Sequence, residues 1–295
     1  HLQDKIGMTK TRSPITAGAA LSPDNFRLLR SIGIPIVQGY GSTEVSGLDV
    51  LQLEKECYRS EGSGQPFPGV EVRITEDGEI LLGGVGVAQG YYKAPEETAK
   101  SFKDGYFHTG DSGYMDEEGE LFVIDRVRDM QTLKSGEKFS PTYIEGRLKF
   151  SPFIKDAMVI GNKKEYVTAL LNMDFENTGR WAERNHLPYT SHPDLSQKAD
   201  VRKLLAGIIQ KVNTALPEKT RLKKFIVLHK DFDPDEAELT RTRKLRRDYM
   251  ELRYERIVTA MYDDLHDVDV ETTITYRDGR KSMMSVPIHI EKVEG

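Results

Sequence analysis

Four stretches of this chain hold residue types and spacings that could do chemistry. Tyr40-Gly41-Ser42-Thr43-Glu44 is the first. An aromatic face can stack on a purine, and the glycines on either side of Tyr40 let backbone approach a ligand closely. The Thr43 hydroxyl can donate to a phosphate oxygen, and the Glu44 carboxylate can hold Mg²⁺ against it, since hard cations prefer oxygen ligands. The same residues also describe an ordinary strand-to-loop turn with a capping threonine. Asp111 closes the second stretch, Asp104-Gly105-Tyr106-Phe107-His108-Thr109-Gly110-Asp111. A carboxylate in such a turn can accept from two adjacent ribose hydroxyls, or it can satisfy its own turn backbone. Lys134-Ser135-Gly136-Glu137-Lys138 reads as a charged loop around one glycine. Leu239-Thr240-Arg241-Thr242-Arg243-Lys244-Leu245-Arg246-Arg247 reads as a basic run, ordinarily a solvated face. The seven histidines are dispersed without metal-ligand spacing, and His108 fits a structural role better than that of a base.

The elements that must position these residues follow from pattern. Pro14 to Ala20 reads as a short strand, Ser22-Pro23 as a capped helix start running to Gly33, and Ile34 to Gln38 as a second strand. Strand, helix, strand is the signal of a parallel sheet, and ligands bind beyond the carboxyl ends of such strands. Val70–Ile74 and Glu79–Leu82 alternate around Asp77-Gly78, a hairpin turn, and the antiparallel texture continues to Leu121–Ile124. Arg126-Val127-Arg128-Asp129 is charged and lacks a core run. Beyond it, Ser140-Pro141 starts a helix, Ala157–Ile160 and Val167–Leu171 read as paired strands, and Phe225–Leu228 as a third. A long helix is expected from about Leu195 to Leu216, a basic helix from Lys244 to about Tyr262, and a terminal hairpin over Val268–Val293 turning at Arg277-Asp278-Gly279-Arg280.

The 295 residues suffice for two domains with real cores. A net charge of −5 argues against a general nucleic-acid binder. Cys57 is the only cysteine, so no internal disulfide can form and a reducing compartment is expected. No apolar run approaches the roughly 18 residues of a spanning helix, and no signal peptide opens the chain. The chain starts at His1 rather than at methionine, and a fragment of a longer protein is expected.

Thr109-Gly110-Asp111, Asp125-Arg126 and Gly136 fall in a pattern of roughly forty positions, far more specific than a short glycine motif. This pattern resembles the signature of AMP-forming fatty-acyl-CoA synthetases of the adenylate-forming superfamily. The resemblance implies α/β and α+β architecture. Residues 1–125 would end a large adenylate-binding domain, with a βαβ segment at 1–50 and a β-barrel-like segment at 51–125. A hinge would follow at 126–129, and a smaller mobile α+β domain at 130–295.

It also implies roles. Gly18, Ala19 and Ala20 would pack along adenine, and Tyr40, Gly41, Thr43 and Glu44 would line the adenylate site. Asp111 and Arg126 would hold the ribose, Arg128 would be the pivot, and Gly136 would let the pantetheine arm of CoA pass. Lys244 would bridge the substrate carboxylate and the α-phosphate, a cation offsetting the approach of two anions; Arg243, Arg246 and Arg247 are the neighbours that could be mistaken for it.

The implied reaction joins a fatty acid and ATP to acyl-adenylate and pyrophosphate, then transfers the acyl group to CoA, with Mg²⁺ as the metal. Phe139-Ser140-Pro141 and Leu148-Lys149-Phe150-Ser151-Pro152 look closer to long-chain than to acetate-type enzymes. The family's Ser/Thr/Gly-rich loop ending in Pro-Lys-Gly does not occur in this sequence; in relatives it lies upstream. The isolated chain is therefore expected to have little or no ligase activity. Two other readings stay open: a fatty-acyl-AMP ligase donating to a carrier protein, and a non-catalytic acyl- or nucleotide-binding module. The expected partners are fatty acid, ATP and CoA, with no nucleic acid. A cytoplasmic location, peripheral contact with a membrane and a homodimer are all compatible with this reading.

Overall fold

The computed structural model describes residues 2–18, 21–53, 59–241, 244–263, 265–275 and 281–293. The chain divides into two compact units, His1–Met130 and Gln131–Gly295.

The first unit opens with a helical turn, α1 (Leu2–Lys5), and then β1 (Ile15–Thr16), α2 (Pro23–Ser31) and β2 (Val37–Tyr40). β1 and β2 are parallel, so α2 is the crossover the sequence predicts. Ser22 caps α2, its Oγ accepting from the Asn25 amide at 3.2 Å. Phe26, Ile34 and Ile36 bury beneath it. β2 starts later than its apolar run, because Ile34 and Ile36 serve as core contacts at the helix exit. β3 (Val50–Leu51) pairs antiparallel with β2, and β4 (Gln65–Pro66) antiparallel with β3.

A second sheet of this unit holds β5 (Val70–Ile74), β6 (Glu79–Gly84), β7 (Phe102–Lys103), β8 (Tyr106–Met115) and β9 (Leu121–Arg126), with α3 (Pro95–Ser101) leading into β7. All pairings are antiparallel, and β8 is flanked by β6, β7 and β9. Ile80, Leu82, Phe107 and Leu121 form its core with Val45 and Val50. Asp104-Gly105 joins β7 to β8 as a two-residue turn, both with positive φ (52° and 82°), the twist that antiparallel partners favour.

The second unit begins with a small hairpin, β10 (Gln131–Thr132) and β11 (Lys138–Phe139), then α4 (Pro141–Leu148), capped by Ser140. A five-stranded sheet follows from β12 (Ile154–Ile160), β13 (Val167–Met173), β14 (Leu222–Val227), β15 (Asp267–Thr275) and β16 (Lys281–Lys292), in the order β12-β13-β14-β16-β15. Only β13 and β14 run parallel. β13 is buried along its whole length, and its period-two alternation feeds two cores. Val167, Ala169, Leu171 and Met173 pack with α4, α5 (Phe175–Arg184) and α7 (Ala199–Asn213); Leu170 packs with α8 (Arg247–Arg253) and α9 (Glu255–Tyr262).

Two expected helices are each two. The run from Leu195 begins as α6 (His192–Ser196) and resumes as α7. Gln197 interrupts it, because its side chain is committed to the sheet, donating to the Val227 carbonyl and accepting from the His289 amide. The basic helix breaks at Tyr254, whose non-helical ψ of 16° separates α8 from α9. The turn expected at Arg277–Arg280 lies outside the described residues. No helix is long and apolar enough to cross a membrane, among the described residues.

Candidate functional site

The strand ends of the first unit bring three of the expected residues together. Asp111 lies within β8 rather than in a turn. β6 pairs Glu79 with Ser112 but Leu81 with His108, so residues 109–111 bulge out of the ladder, with Gly110 at φ 67°. Thr109 is buried and fixes the bulge from inside: its Oγ1 donates to the Ile80 carbonyl at 2.7 Å and accepts from the Asp111 amide at 3.0 Å. Glu79 fixes it from the neighbouring strand, accepting from the Gly110 amide at 3.0 Å and meeting His108 Nδ1 at 3.1 Å. His108 is thus a structural partner.

The bulge presents the Asp111 carboxylate to two elements. Oδ2 accepts from the Tyr40 hydroxyl at 2.7 Å, at the end of β2. Oδ1 stands 3.0 Å from Arg126 Nη1, and Arg126 is Asp111's cross-strand partner on β9. The guanidinium also donates to the Thr109 carbonyl at 3.1 Å. Burial, with the Asp111 charge beside it, pushes the Tyr40 phenol far above its usual value, so it remains a donor. The result is a carboxylate oriented on both sides, with the Arg126 side chain 55% exposed.

The loop after β2 is tight for a reason. A Cβ on Gly41 would sit 1.9 Å from the Gly47 carbonyl oxygen and 2.7 Å from Asp49 Oδ2. Asp49 is buried beneath this loop, and burial pushes its carboxyl up to about 6, against the pull of the Ser42 amide that it accepts at 3.4 Å. Thr43 is exposed and Glu44 half-buried on the 3-10 turn Thr43–Val45. Glu44 Oε1 accepts from the Tyr91 hydroxyl at 2.9 Å. Burial opposes the Glu44 charge, but that hydroxyl, then its own backbone amide and the Ser42 hydroxyl, and last the Arg126 charge together outweigh it and hold the carboxyl below its ordinary value. Among the described residues, no group of three or more His, Cys, Asp or Glu side chains could hold a metal ion. A single ionised carboxylate fits a Mg²⁺ whose other ligands are nucleotide phosphates and water.

Of the remaining expected residues, Gly18 and Arg128 belong to the first unit and Gly136 and Lys244 to the second. Gly18 is exposed, at φ 80°, with open space where a Cβ would be; Ala19 and Ala20 lie outside the described residues. Arg128, its side chain 82% exposed, lies on the 3-10 turn Val127–Asp129, just before the division between the units. Gly136 turns the β10–β11 hairpin at φ 98° with open space around it. Lys244 is exposed in the second unit, on a narrow backbone loop: the Thr240 amide donates to its carbonyl at 2.8 Å, and its amide donates to Thr240 Oγ1 at 3.0 Å.

Two of its basic neighbours are engaged elsewhere. Arg247 makes a two-pronged pair with the buried Glu145, at 2.7 and 2.6 Å, and Arg246 lies over the Tyr249 ring; Arg243 is outside the described residues. Glu79, Tyr91 and Asp49 are site residues that the sequence does not point to. They act across strands and loops, and nothing in their local pattern marks them.

The family described as AMP-binding enzyme matches residues 4–92, and the AMP-binding enzyme C-terminal domain matches residues 128–266. The long-chain-fatty-acid–CoA ligase FadD15 of Mycobacterium bovis is 31% identical over 253 residues, which are 85% of this chain and 42% of that protein. The long-chain-fatty-acid–CoA ligase ACSBG1 of Bos taurus is 26% identical, over 89% of this chain and 39% of its own length. The chain thus spans less than half the length of these relatives. Among solved structures, the O-succinylbenzoate coenzyme A synthetase (MenE) of Bacillus subtilis in complex with AMP superposes with a TM-score of 0.54 at 26% identity, over 81% of this chain and 46% of that one. With matches to both the main and the C-terminal domain of one enzyme family, this chain belongs to the AMP-binding enzymes.

Proposed function

We propose that this chain is the later part of an AMP-forming long-chain fatty-acid–CoA ligase, a fragment by itself. Its first unit binds the nucleoside of ATP and of the acyl-adenylate. The observation that carries this reading is the Asp111 carboxylate, presented by a strand bulge and oriented by Tyr40 and Arg126. It can accept from two vicinal ribose hydroxyls while Arg126 remains within reach. Tyr40 and the Gly18-Ala19-Ala20 segment line the adenine, and Thr43 meets a phosphate oxygen. Mg²⁺, held by Glu44 and the phosphates, would supply charge neutralisation there.

Lys244 of the second unit neutralises the anions of the first half-reaction, in which the fatty-acid carboxylate displaces pyrophosphate. The thiol of CoA then attacks the acyl-adenylate and AMP leaves. No nucleophilic side chain is required, since carboxylate and thiol are the nucleophiles. Residues 126–129, with Arg128 exposed and able to stay solvated in two orientations, serve as the hinge, and the Gly136 turn lets the pantetheine arm pass. A cytoplasmic location, peripheral contact with a membrane and a homodimer are each compatible with this reading.

Pyrophosphate release from ATP with palmitate, followed by acyl transfer, tests this reading in the full-length protein. Acyl-CoA formation is expected, with little or no turnover by the isolated chain. Transfer to a carrier phosphopantetheine and not to CoA would instead identify an acyl-AMP ligase. Nucleotide binding without pyrophosphate release would leave a non-catalytic module.

A further inference from the structure

Glu238 is a carboxylate without any exposed surface, in a segment that the reaction does not use directly. Its Oε2 accepts from the Asp233 amide at 2.8 Å. Its Oε1 accepts from the Tyr254 hydroxyl at 2.7 Å, with Arg253 Nε at 2.9 Å and Lys230 Nζ at 3.2 Å. One buried side chain thus joins the loop after β14 to the junction of α8 and α9. Burying charges costs several kcal/mol per ion and seldom adds net stability; what such a network can provide is a fixed geometry.

The geometry it fixes is that of Lys244. The Glu238 carbonyl accepts from the Arg246 amide at 3.0 Å, and the next rung is the antiparallel bridge between Leu239 and Leu245. Above it, Thr240 holds both backbone groups of Lys244. Residues 238–240 and 244–246 therefore run as two paired antiparallel arms, with Glu238 at one end of the ladder and Lys244 at the other. Arg247, the next residue, is locked to Glu145. Removing the Glu238 carboxylate would free its end of the ladder while leaving the sheet of the unit in place.

We propose that Glu238, acting with Tyr254, is a positioning residue for Lys244, setting where the lysine ammonium stands without touching substrate. This rests on the reading of Lys244 as the cation of the first half-reaction. Misplacing a catalytic group by about 1 Å can cost on the order of a hundredfold, so partial loosening should be visible.

The test measures the two half-reactions separately in the full-length protein, pyrophosphate release from ATP and palmitate, and acyl-CoA formation from preformed palmitoyl-adenylate. Glu238→Gln and the milder Tyr254→Phe are compared with Lys244→Ala. We expect both variants to slow the first half-reaction by about tenfold or more and to leave the second within about twofold, the same split as Lys244→Ala but smaller. Equal loss in both half-reactions, or loss in neither, while Lys244→Ala shows the split, overturns the positioning role: equal loss would mean that Glu238 only stabilises the fold. No split in Lys244→Ala itself overturns the reading of Lys244 on which the proposal stands.

Discussion

The Tyr40 hydroxyl, at the end of a strand of the first sheet, donates to Asp111 Oδ2 at 2.7 Å across 71 positions of sequence. This bond joins the two glycine-rich motifs of the unit through their side chains and leaves the second carboxylate oxygen to Arg126. A hydrogen bond to a charged group is worth about 1.5–3 kcal/mol. Tyr40→Phe should therefore weaken nucleoside binding by roughly tenfold or more while the ring and fold persist. Calorimetric titration with AMP checks this, and an unchanged affinity would show that Asp111 needs no such orientation.

Asp49 makes the stability of the first unit depend on pH in an unusual direction. Unfolded, its carboxyl titrates near 3.8; buried under the Gly41 loop, it is pushed up to about 6. Between those values the native state keeps a proton that the unfolded chain loses. Stability conferred by this group is therefore present at the acid end, falls as pH rises through the window, and is fully lost above about 6. Asp49→Asn, neutral throughout, should lack this slope. Urea midpoints for both proteins at about pH 4 and about pH 7 should show the variant gaining relative to the parent at the higher pH. Parallel behaviour of the two would refute the assignment.

Gly41 is required by space rather than by φ. Its added Cβ would meet backbone of Gly47, which cannot swing aside like a side-chain end. Gly41→Ala should cost about 1–3 kcal/mol and displace Thr43 and Glu44 with the loop. Denaturant unfolding measures the first effect, and loss of metal-dependent nucleotide affinity the second. A variant as stable as the parent, with full affinity, would mean that the loop yields freely.

In the second unit, the half-buried Arg247 pairs with Glu145, a buried carboxylate. Arg247→Met strands the Glu145 charge and should cost about 3–5 kcal/mol, whereas the double change with Glu145→Leu should recover most of it. A double-mutant cycle in urea reads the difference. Simple additivity of the two single losses would contradict the coupling.

Local rules made much of this fold legible. Ser22-Pro23 and Ser140-Pro141 announce helices whose caps are in place. Asp77-Gly78 turns the β5–β6 hairpin. β13 reads as a strand from a mostly apolar run, broken early only by Thr168, because it is covered on both faces. α5, not expected from the sequence, also has a local signal: Asp174 accepts from the Asn177 amide as its N-cap.

What sequence could not reveal depends on contacts between distant segments. Thr109-Gly110-Asp111 has the composition of a turn, yet it is a bulge inside a strand, because Glu79 on β6 holds the Gly110 amide. Leu195 and Val201 share an apolar stripe, yet Gln197 leaves the helix to bind two strands. The same holds for the candidate site: its motifs are visible as motifs, but Tyr91 on Glu44 and Asp49 beneath Ser42 arise only when the chain folds back.

The central claim is that Asp111 reads the ribose of the adenylate. Its most direct test is calorimetric binding of a non-hydrolysable palmitoyl-adenylate analogue to the protein and to Asp111→Ala, with circular dichroism to confirm that both are folded. Loss of two charge-assisted hydrogen bonds predicts a drop in affinity of roughly a hundredfold or more in the variant. A folded Asp111→Ala protein that binds the analogue as tightly as the parent would contradict the account.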